Sequence, residues 1–334
     1  MNKNYTIKDI AKALNLSPST VSRALRDSHE ISQKTKKLVL DFAKKINYRT
    51  NPIALSLKER KSYSIGIIVS EFANNFFSQV IDGVESVANA NNYQVVISQT
   101  HESAQREEQN IEYFYSRAID GILISLSAET SDLSYMQSLI DKGYPLVFFD
   151  RVPSSLKGHK VISDNRNGSI EAVHYLAKKG KKKIAHLTGS KSLFITNERV
   201  KGYKMGLMAN GLEYSESLVK HCEYGGLHHQ EVEKAVDELL REDIDAVFIS
   251  GDKLTTGFLQ ILREKEDFDQ DKILVAGFTN SNVVNLFSPK IISVRQSAFE
   301  MGKNAVELLI EQINSKEESL SFKTIIVPTV LSKE

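Results

Sequence analysis

The sequence predicts an α/β protein: a small all-α helix-turn-helix head joined to a two-lobed, doubly wound α/β core. Three observations predict it. With 334 residues the chain is too long for one typical core. Charge is divided unevenly, since residues 1–62 carry 14 Lys+Arg against 5 Asp+Glu, a net of +9, while the remainder nets −8. The hydrophobic period also changes at Tyr63, from helical spacing to short β-rich runs separated by amphipathic stretches. A basic head on an acidic body is a common layout for a nucleic-acid reader joined to something else, and charge alone equally fits a basic solvated hairpin.

Composition narrows the class. Apolar content of 41% and charged content of 25% are ordinary for a soluble globular protein. Cys222 is the one cysteine, which allows no internal disulfide and fits a reducing compartment. The opening MNKNYTIKDIAKAL has no apolar signal core. No run approaches the ~20 apolar residues of a membrane span. The expectation is a cytoplasmic, nucleoid-associated protein with no membrane partner.

In the head, Thr6-Ile7-Lys8-Asp9 has the form of a capping box, with Asp9 in place of the usual glutamate. Ile7, Ile10, Ala11 and Leu14 follow as one apolar stripe on a first helix. Asn15-Leu16 makes a short turn, Ser17 suits an N-cap and Pro18 the first helical position. The stretch SPSTVSRAL then turns Val21, Ala24 and Leu25 inward and leaves Ser19, Thr20, Ser22 and Arg23 outward. Ser32 caps a third helix carrying Leu38, Val39, Phe42, Ala43 and Ile46. Hydroxyls compete with the backbone for hydrogen bonds, so crowding them on a short helix calls for a reason. In a helix-turn-helix the second helix lies in the DNA major groove. Hydroxyls there reach phosphates and base edges, and Arg23 offers a two-pronged donor to a guanine or a charge to a phosphate. A helical bundle with an idle polar face explains the apolar positions but not the hydroxyls.

TIKDIAKALNLSPSTVSRAL, followed by INYRTNPIALSLKERKSYSIGIIV, resembles the head and hinge of the lactose-repressor (LacI/GalR) family of bacterial transcription regulators. The resemblance implies DNA contacts from Thr6, Ser17, Pro18, Ser19, Thr20, Ser22, Arg23 and Tyr48 in a head spanning 1–49. Pro18 and Ser19 fall where base choice is usually made. It also implies a hinge at 50–62 that folds on DNA, pairs with its dimer mate and pushes a leucine into the minor groove. Leu57 falls at that position, Ala54 allows close approach one turn earlier, and Asn51 begins the segment. Read without the resemblance, this stretch is a marginal helix or a linker. An inserted leucine kinks DNA by unstacking a base step.

The runs SIGIIV, YQVVIS, GILIS, PLVFFD, KVISD, KIAHLTG, AVFIS and ILVAGF read as strands of a βαβ series. No GxGxxG follows a strand, and GDKLTTG lacks the Gly-Lys-Ser/Thr ending of a phosphate loop. The body, 63–334, resembles the periplasmic-binding-protein-like (type I) core of the same family. That implies an N-lobe near 63–161 plus 292–320 and a C-lobe near 162–291 plus 321–334. Open α/β sheets bind ligands at strand C-termini, here the cleft between lobes.

Ten residues fall where family members contact effectors. Phe76 and Phe77 sit in NNFF, where the family usually reads Asn-Pro-Phe-Phe, and each is equally placed to be helix-start core. Asp150 ends PLVFFD and either accepts ligand hydroxyls or caps its loop; Arg151 beside it favours the cleft. Arg199 matches the arginine of an Arg-x-x-Gly segment, with a surface pair to Glu198 as the plainer alternative. Asp252 is a second strand-end carboxylate. Gln296, in the crossing strand, reaches either ligand or hinge. Leu227 stands where relatives often carry a large aromatic, which thins the stacking wall. Where most relatives read Gly-Phe/Tyr-Asp, this chain reads Gly277-Phe278-Thr279-Asn280. A neutral Thr279 or Asn280 bonds hydroxyls without charge assistance and tolerates an anionic ligand better.

Lys178-Lys179-Gly180-Lys181-Lys182-Lys183 reads as a helix C-terminus with cations near the dipole. His228-His229 lacks the i, i+4 spacing of a metal pair, so no metal site and no cofactor are expected. No Gly-x-Ser-x-Gly elbow is present, and no enzyme is expected. The reading is a homodimeric regulator, most simply a repressor. It binds near-palindromic operator DNA and is controlled by a small effector, a sugar or sugar derivative. A transporter's solute-binding protein has a similar core but no such head, and an enzyme with a regulatory head needs a catalytic constellation.

Overall fold

The computed structural model describes residues 5–25, 27–48, 61–265, 272–282, 286, 291–315 and 321–332. The expected hinge contacts Asn51, Ala54 and Leu57 lie outside the described residues. The chain divides at Ser62/Tyr63 into two compact units.

In the first unit, α1 (Ile7–Leu14), α2 (Pro18–Leu25) and α3 (Gln33–Lys45) enclose Ile10, Ala11, Val21, Ala24, Val39 and Ala43. The Thr6 capping box is complete, and Asn15 ends α1 in the left-handed region at φ 52°. The face of α3 departs from expectation. Leu38 is half exposed, and Lys36 turns inward instead. Its Nζ donates to the Asp27 carbonyl at 3.1 Å and to Asp27 Oδ1 at 2.6 Å, so the buried cation is paired.

The second unit holds two six-stranded sheets. The N-lobe contains β1 (Ser64–Val69), α4 (Asn75–Ala90), β2 (Gln94–Gln99), α5 (Ala104–Ser116), β3 (Gly121–Ile124), α6 (Ser134–Asp141), β4 (Leu146–Phe149) and β5 (His159–Ser163). The C-lobe contains α7 (Asn165–Lys178), β6 (Ile184–Thr188), α8 (Phe194–Ala209), β7 (Val219–His221), α9 (His229–Arg241), β8 (Ala246–Ile249), α10 (Asp252–Glu264), β9 (Leu274–Phe278) and β10 (Ile291–Gln296). Then α11 (Ala298–Asn314) and β11 (Thr324–Val327) return to the N-lobe, and β12 (Thr329–Ser332) joins the C-lobe. The sheet orders are β11-β5-β4-β3-β1-β2 and β12-β10-β9-β8-β6-β7. All pairs are parallel except β10 with β12.

The lobe boundaries differ from the expected ones at three places. β5 runs to Ser163, past 161, and β10 belongs wholly to the C-lobe, because it pairs with β9 and β12. The tail TIIVPTVLS is divided between sheets rather than assigned to one. Pro328 is the cause: it has no N–H to continue a ladder, and the chain changes sheets there. The chain therefore crosses between lobes at Asp164, Ser297 and Pro328, and the crossings touch. Asp164 N donates to the Val327 carbonyl at 2.9 Å, and Ser297 Oγ to the Pro328 carbonyl at 2.8 Å.

Glycines set the helix pairings. A Cβ on Gly83 of α4 would stand 2.1 Å from the Phe299 carbonyl oxygen of α11, and one on Gly302 of α11 would stand 2.1 Å from the Val80 carbonyl oxygen of α4.

Under the cleft, His186 lies stacked between Tyr203 and Phe248, with ring centroids 4.9 and 4.7 Å away. Its Nδ1 donates to the Phe248 carbonyl at 3.0 Å. Burial pulls its pKa from 6.5 down to about 3. The unfolded chain takes up this proton below about pH 6.5 and the folded chain only near 3. Stability is therefore full above pH 6.5 and is lost towards 3, by about 1.4 kcal/mol per unit. His186→Phe is expected to remove about 2 kcal/mol of the loss between pH 6.5 and 5, read from urea denaturation. An unchanged pH slope contradicts the assignment.

Candidate functional site

In the head, the hydroxyls of the second helix prove to be mutually engaged. Ser17 Oγ accepts from Thr20 N at 3.0 Å and lies 2.7 Å from Ser19 Oγ and 2.8 Å from Thr20 Oγ1. The cluster thus caps α2, and Ser17, Pro18 and Ser19 remain exposed with hydrogen-bonding capacity left over. Thr20 and Ser22 are half-buried. Arg23 reaches Glu30 at 2.9 Å, an exposed pair of little energetic weight that leaves the guanidinium available. Thr6 is committed to its capping box with Asp9. Tyr48 packs against the head core, and burial raises its hydroxyl pKa.

In the second unit, nine of the ten expected ligand residues surround one cleft: Phe76, Phe77, Asp150, Arg151, Arg199, Leu227, Asp252, Thr279 and Gln296. Its space is about 870 Å³, including solvent at the mouth. Asp150 follows β4, Asp252 follows β8, Thr279 follows β9 and Gln296 ends β10, so strand C-termini converge there.

Arg199 is the centre. It is 3% exposed, and its guanidinium carbon sits 3.8 Å from the centroid of the Phe278 ring. Its Nε donates to Asn165 Oδ1 at 2.8 Å, Nη1 to the Ser250 carbonyl at 3.1 Å, and Nη2 to Gln296 Oε1 at 3.3 Å. Burial pulls its pKa down to about 10, against the charges of Asp150 and Asp252. It stays a cation at neutral pH. Burial pushes both carboxyls up, partly offset for Asp150 by Arg199 and for Asp252 chiefly by the hydroxyl of Thr279. The alternative reading, a surface pair of Arg199 with Glu198, is not among the described contacts: Glu198 pairs with Arg166 and Lys201.

Three of the ten residues make contacts that the sequence did not reveal, and one of them lies off the cleft. Asn280 does not line the cleft. Its Nδ2 donates to the Gln296 carbonyl and to Gln79 Oε1, both at 2.8 Å, and its Oδ1 accepts from Gln296 N at 3.0 Å. It fastens the β9 loop to the crossing strand and to α4 of the other lobe. Thr279 donates its hydroxyl to Asp252, and Asn280 N donates to the same carboxylate oxygen at 3.1 Å, so a carboxyl stands directly beside the neutral Thr279. Arg151 donates to both oxygens of Glu102, at 2.8 and 2.6 Å, and so faces the cleft already paired. Burial opposes the charge of Glu102, but Arg151 holds its pKa below the usual range.

Phe76 and Phe77 line the cleft and also belong to the N-lobe core, 5% and 2% exposed. Gln296 likewise reaches ligand space and hinge, donating to Asp150 Oδ1 at 3.2 Å and Ser163 Oγ at 2.9 Å. The sequence reading missed Glu71, Glu102, Ser190, Glu223, Tyr224 and Lys253. Glu71 and Glu102 follow β1 and β2, so the strand-end rule could have found them. Lys253 pairs with Glu71 across the cleft, a contact no local pattern reveals.

Among the described residues, no group of three or more His, Cys, Asp or Glu is placed to hold a metal ion. No helix there is long and apolar enough to cross a membrane.

Residues 65–317 match the periplasmic binding protein domain, and residues 6–51 match bacterial regulatory proteins of the lacI family. The HTH-type transcriptional repressor PurR of Vibrio atlanticus (strain LGP32) is 30% identical over 316 residues, covering 93% of each chain. The structure of a transcriptional regulator CelR–cellobiose complex is 27% identical, covers 98% of each chain and superposes with a TM-score of 0.72. The Lac repressor dimer bound to operator shares the fold, with a TM-score of 0.82 at 20% identity over 99% of this chain and 98% of that one. Matches to both the head and the core, and a repressor alike across nearly its whole length, show that the chain belongs to the lacI family of bacterial regulatory proteins, DNA-binding transcriptional regulators that answer to a small molecule.

Proposed function

We propose that the chain is a cytoplasmic, homodimeric repressor without catalytic activity, and that its effector is an uncharged, hydroxyl-rich compound, a sugar or sugar derivative. One observation carries the ligand class: Arg199 stands between two buried carboxyls, Asp150 and Asp252, at the cleft wall. Carboxylates accept from hydroxyls and a guanidinium donates to them, which suits a polyol. With Glu102 paired to Arg151 and Glu71 to Lys253, the wall keeps an excess of carboxylates that repels an anion. The regulator matched at 27% identity is a cellobiose complex, which supports the same class.

The lobes meet through Lys253 with Glu71 and Asn280 with Gln79, so a ligand that bonds both lobes favours closure. Control requires different affinities for effector in the two lobe arrangements. A thermal-shift screen with neutral sugars, sugar phosphates, sugar acids and nucleobases tests the class. A neutral sugar is expected to raise the melting temperature. A shift from a phosphorylated sugar or a nucleobase alone overturns the reading.

The DNA-reading role of α2 is tested by Arg23→Ala against an operator selected from random DNA. A base contact predicts a loss of about 1–3 kcal/mol and relaxed choice at one position; a phosphate contact predicts uniform weakening and a salt slope lower by about one. Unchanged affinity and slope remove Arg23 from the interface.

A further inference from the structure

The carboxyl of Glu102 sits where the acid group of a charged ligand could be held. We infer that Glu102 sets the charge class of the effector: it fills, from within the chain, the place against Arg151 and the Ala128 amide that the carboxylate or phosphate of an acidic sugar would otherwise take. This deepens the reading above, and rests on this cleft being the effector site.

Glu102 follows β2, Ala128 follows β3 and Arg151 follows β4, so three loops at the cleft edge of the N-lobe bring these groups together. Arg151 Nη1 donates to both Glu102 oxygens, and Ala128 N donates to Oε2 at 2.8 Å. A guanidinium beside a backbone N–H is a donor set that suits any carboxylate or phosphate. The set is not saturated, because Arg151 Nε is buried with no hydrogen-bond partner. Glu102 and Arg151 are both largely buried and line the cleft, so a ligand meets them stripped of most of their water. In such surroundings a second anion beside Glu102 is strongly disfavoured.

The backbone at this corner is strained. His101 at φ 52° and Glu102 at φ 65° lie in the left-handed region, the one place among the described residues where two consecutive non-glycine residues do so. Asp150, next to Arg151, joins them at φ 55°. That conformation costs a non-glycine residue energy, persists only where the surroundings over-determine it, and clusters at ligand sites. Here His101 N donates to the Ser70 carbonyl at 2.9 Å, and Leu126 N to the Arg151 carbonyl at 3.0 Å. Strain on both sides of one buried ion pair points to aimed charges. A plain tie between two loops predicts lost stability on removal and no gain of binding.

Glu102→Gln keeps the shape of the side chain and removes its charge, Glu102→Ala removes both, and Glu102→Asp keeps the charge. The full-length chain and these variants are titrated by thermal shift and calorimetry with cellobiose, D-ribose, D-galacturonate, glucose 6-phosphate and inorganic phosphate, at neutral pH and constant ionic strength. Far-ultraviolet circular dichroism checks folding, and Glu102→Ala carries the comparison if Glu102→Gln is unstable. At least one of the three anions is expected to bind Glu102→Gln and Glu102→Ala about tenfold or more tighter than the unsubstituted chain or Glu102→Asp. Adding Arg151→Gln to Glu102→Gln is expected to erase that gain. If no anion binds the uncharged variants more tightly, or the gain survives Arg151→Gln, the inference falls, and a neutral sugar that stabilises the unsubstituted chain still upholds the polyol reading. If an anion already binds the unsubstituted chain as tightly as the variants, Glu102 excludes nothing and the inference falls. If the anion gain appears while neither neutral sugar stabilises the unsubstituted chain, the role of Glu102 stands and the wider thermal-shift screen decides the polyol reading separately.

Discussion

Arg199→Ala is expected to abolish the response to effector and to lower the stability of the core by about 3 kcal/mol at neutral pH. The guanidinium holds Asn165, the Ser250 carbonyl and Gln296 together, and it faces Asp150 and Asp252. Its removal leaves two buried carboxyls without their shared cation. Burial already raises both, and without Arg199 they rise further. A raised carboxyl pKa means that the folded chain holds protons the unfolded chain has released. The deficit is therefore largest above the raised values and shrinks as pH falls through them. Urea denaturation at pH 8 and pH 5 reads this directly, and an equal deficit at both denies the coupling. Arg199→Lys keeps charge but not the three-way reach, so it is expected to recover stability more than response. Operator affinity without effector is expected to persist in both variants. Retained effector response in Arg199→Ala removes the residue from the ligand site.

Gly83→Ala is expected to destabilise the N-lobe by about 3 kcal/mol, the upper end of overpacking costs. The added carbon meets the Phe299 carbonyl oxygen at 2.1 Å, and no side chain can rotate aside because the obstacle is backbone. Helices α4 and α11 must separate, which loosens the contacts of Val80, Val84, Met301 and Ala305. Gly302→Ala is expected to behave alike, since its Cβ meets the Val80 carbonyl. Gly257→Ala makes the contrast. In α10 its Cβ would sit 3.4 Å from Val232, an ordinary contact. There the helix gains propensity and the chain is expected to gain about 0.5–1 kcal/mol. Chemical denaturation of the three variants checks the opposite signs. Destabilisation of all three by the same amount contradicts the packing argument.

The fold was legible where a local pattern is sufficient. Each of the eight apolar runs read as strands is a strand, because a buried parallel strand is a short continuous apolar segment. The short β7, Val219–His221, was missed since VKH has no apolar run. The inward turn of Lys36 was missed because its partner, Asp27, sits in another segment. Strand ends pointed to Asp150 and Asp252, the family resemblance added residues such as Arg199 and Leu227, and nine of the ten line one cleft. What the pattern could not show was which carboxylate faces which donor. Asn280 looked like a ligand residue by position, yet its amide is consumed by Gln296 and Gln79. Asp252 was expected as a strand-end carboxylate, and its bond to Thr279, a partner 27 residues away, was not legible locally.

The three crossings at Asp164, Ser297 and Pro328 have a mechanical consequence. They lie side by side and are bonded to one another, so they resist sliding and twisting of one lobe on the other more than they resist bending. Such a joint leaves essentially a single coordinate, an opening angle. Gln296 touches Ser163 on the first crossing, immediately precedes Ser297 on the second, and meets Arg199 in the cleft. A ligand that bonds both lobes is thereby expected to act mainly through that angle. Ligands of different shape are then expected to act alike where they set the same angle, so that a change of specificity at the cleft leaves the joint itself unaltered.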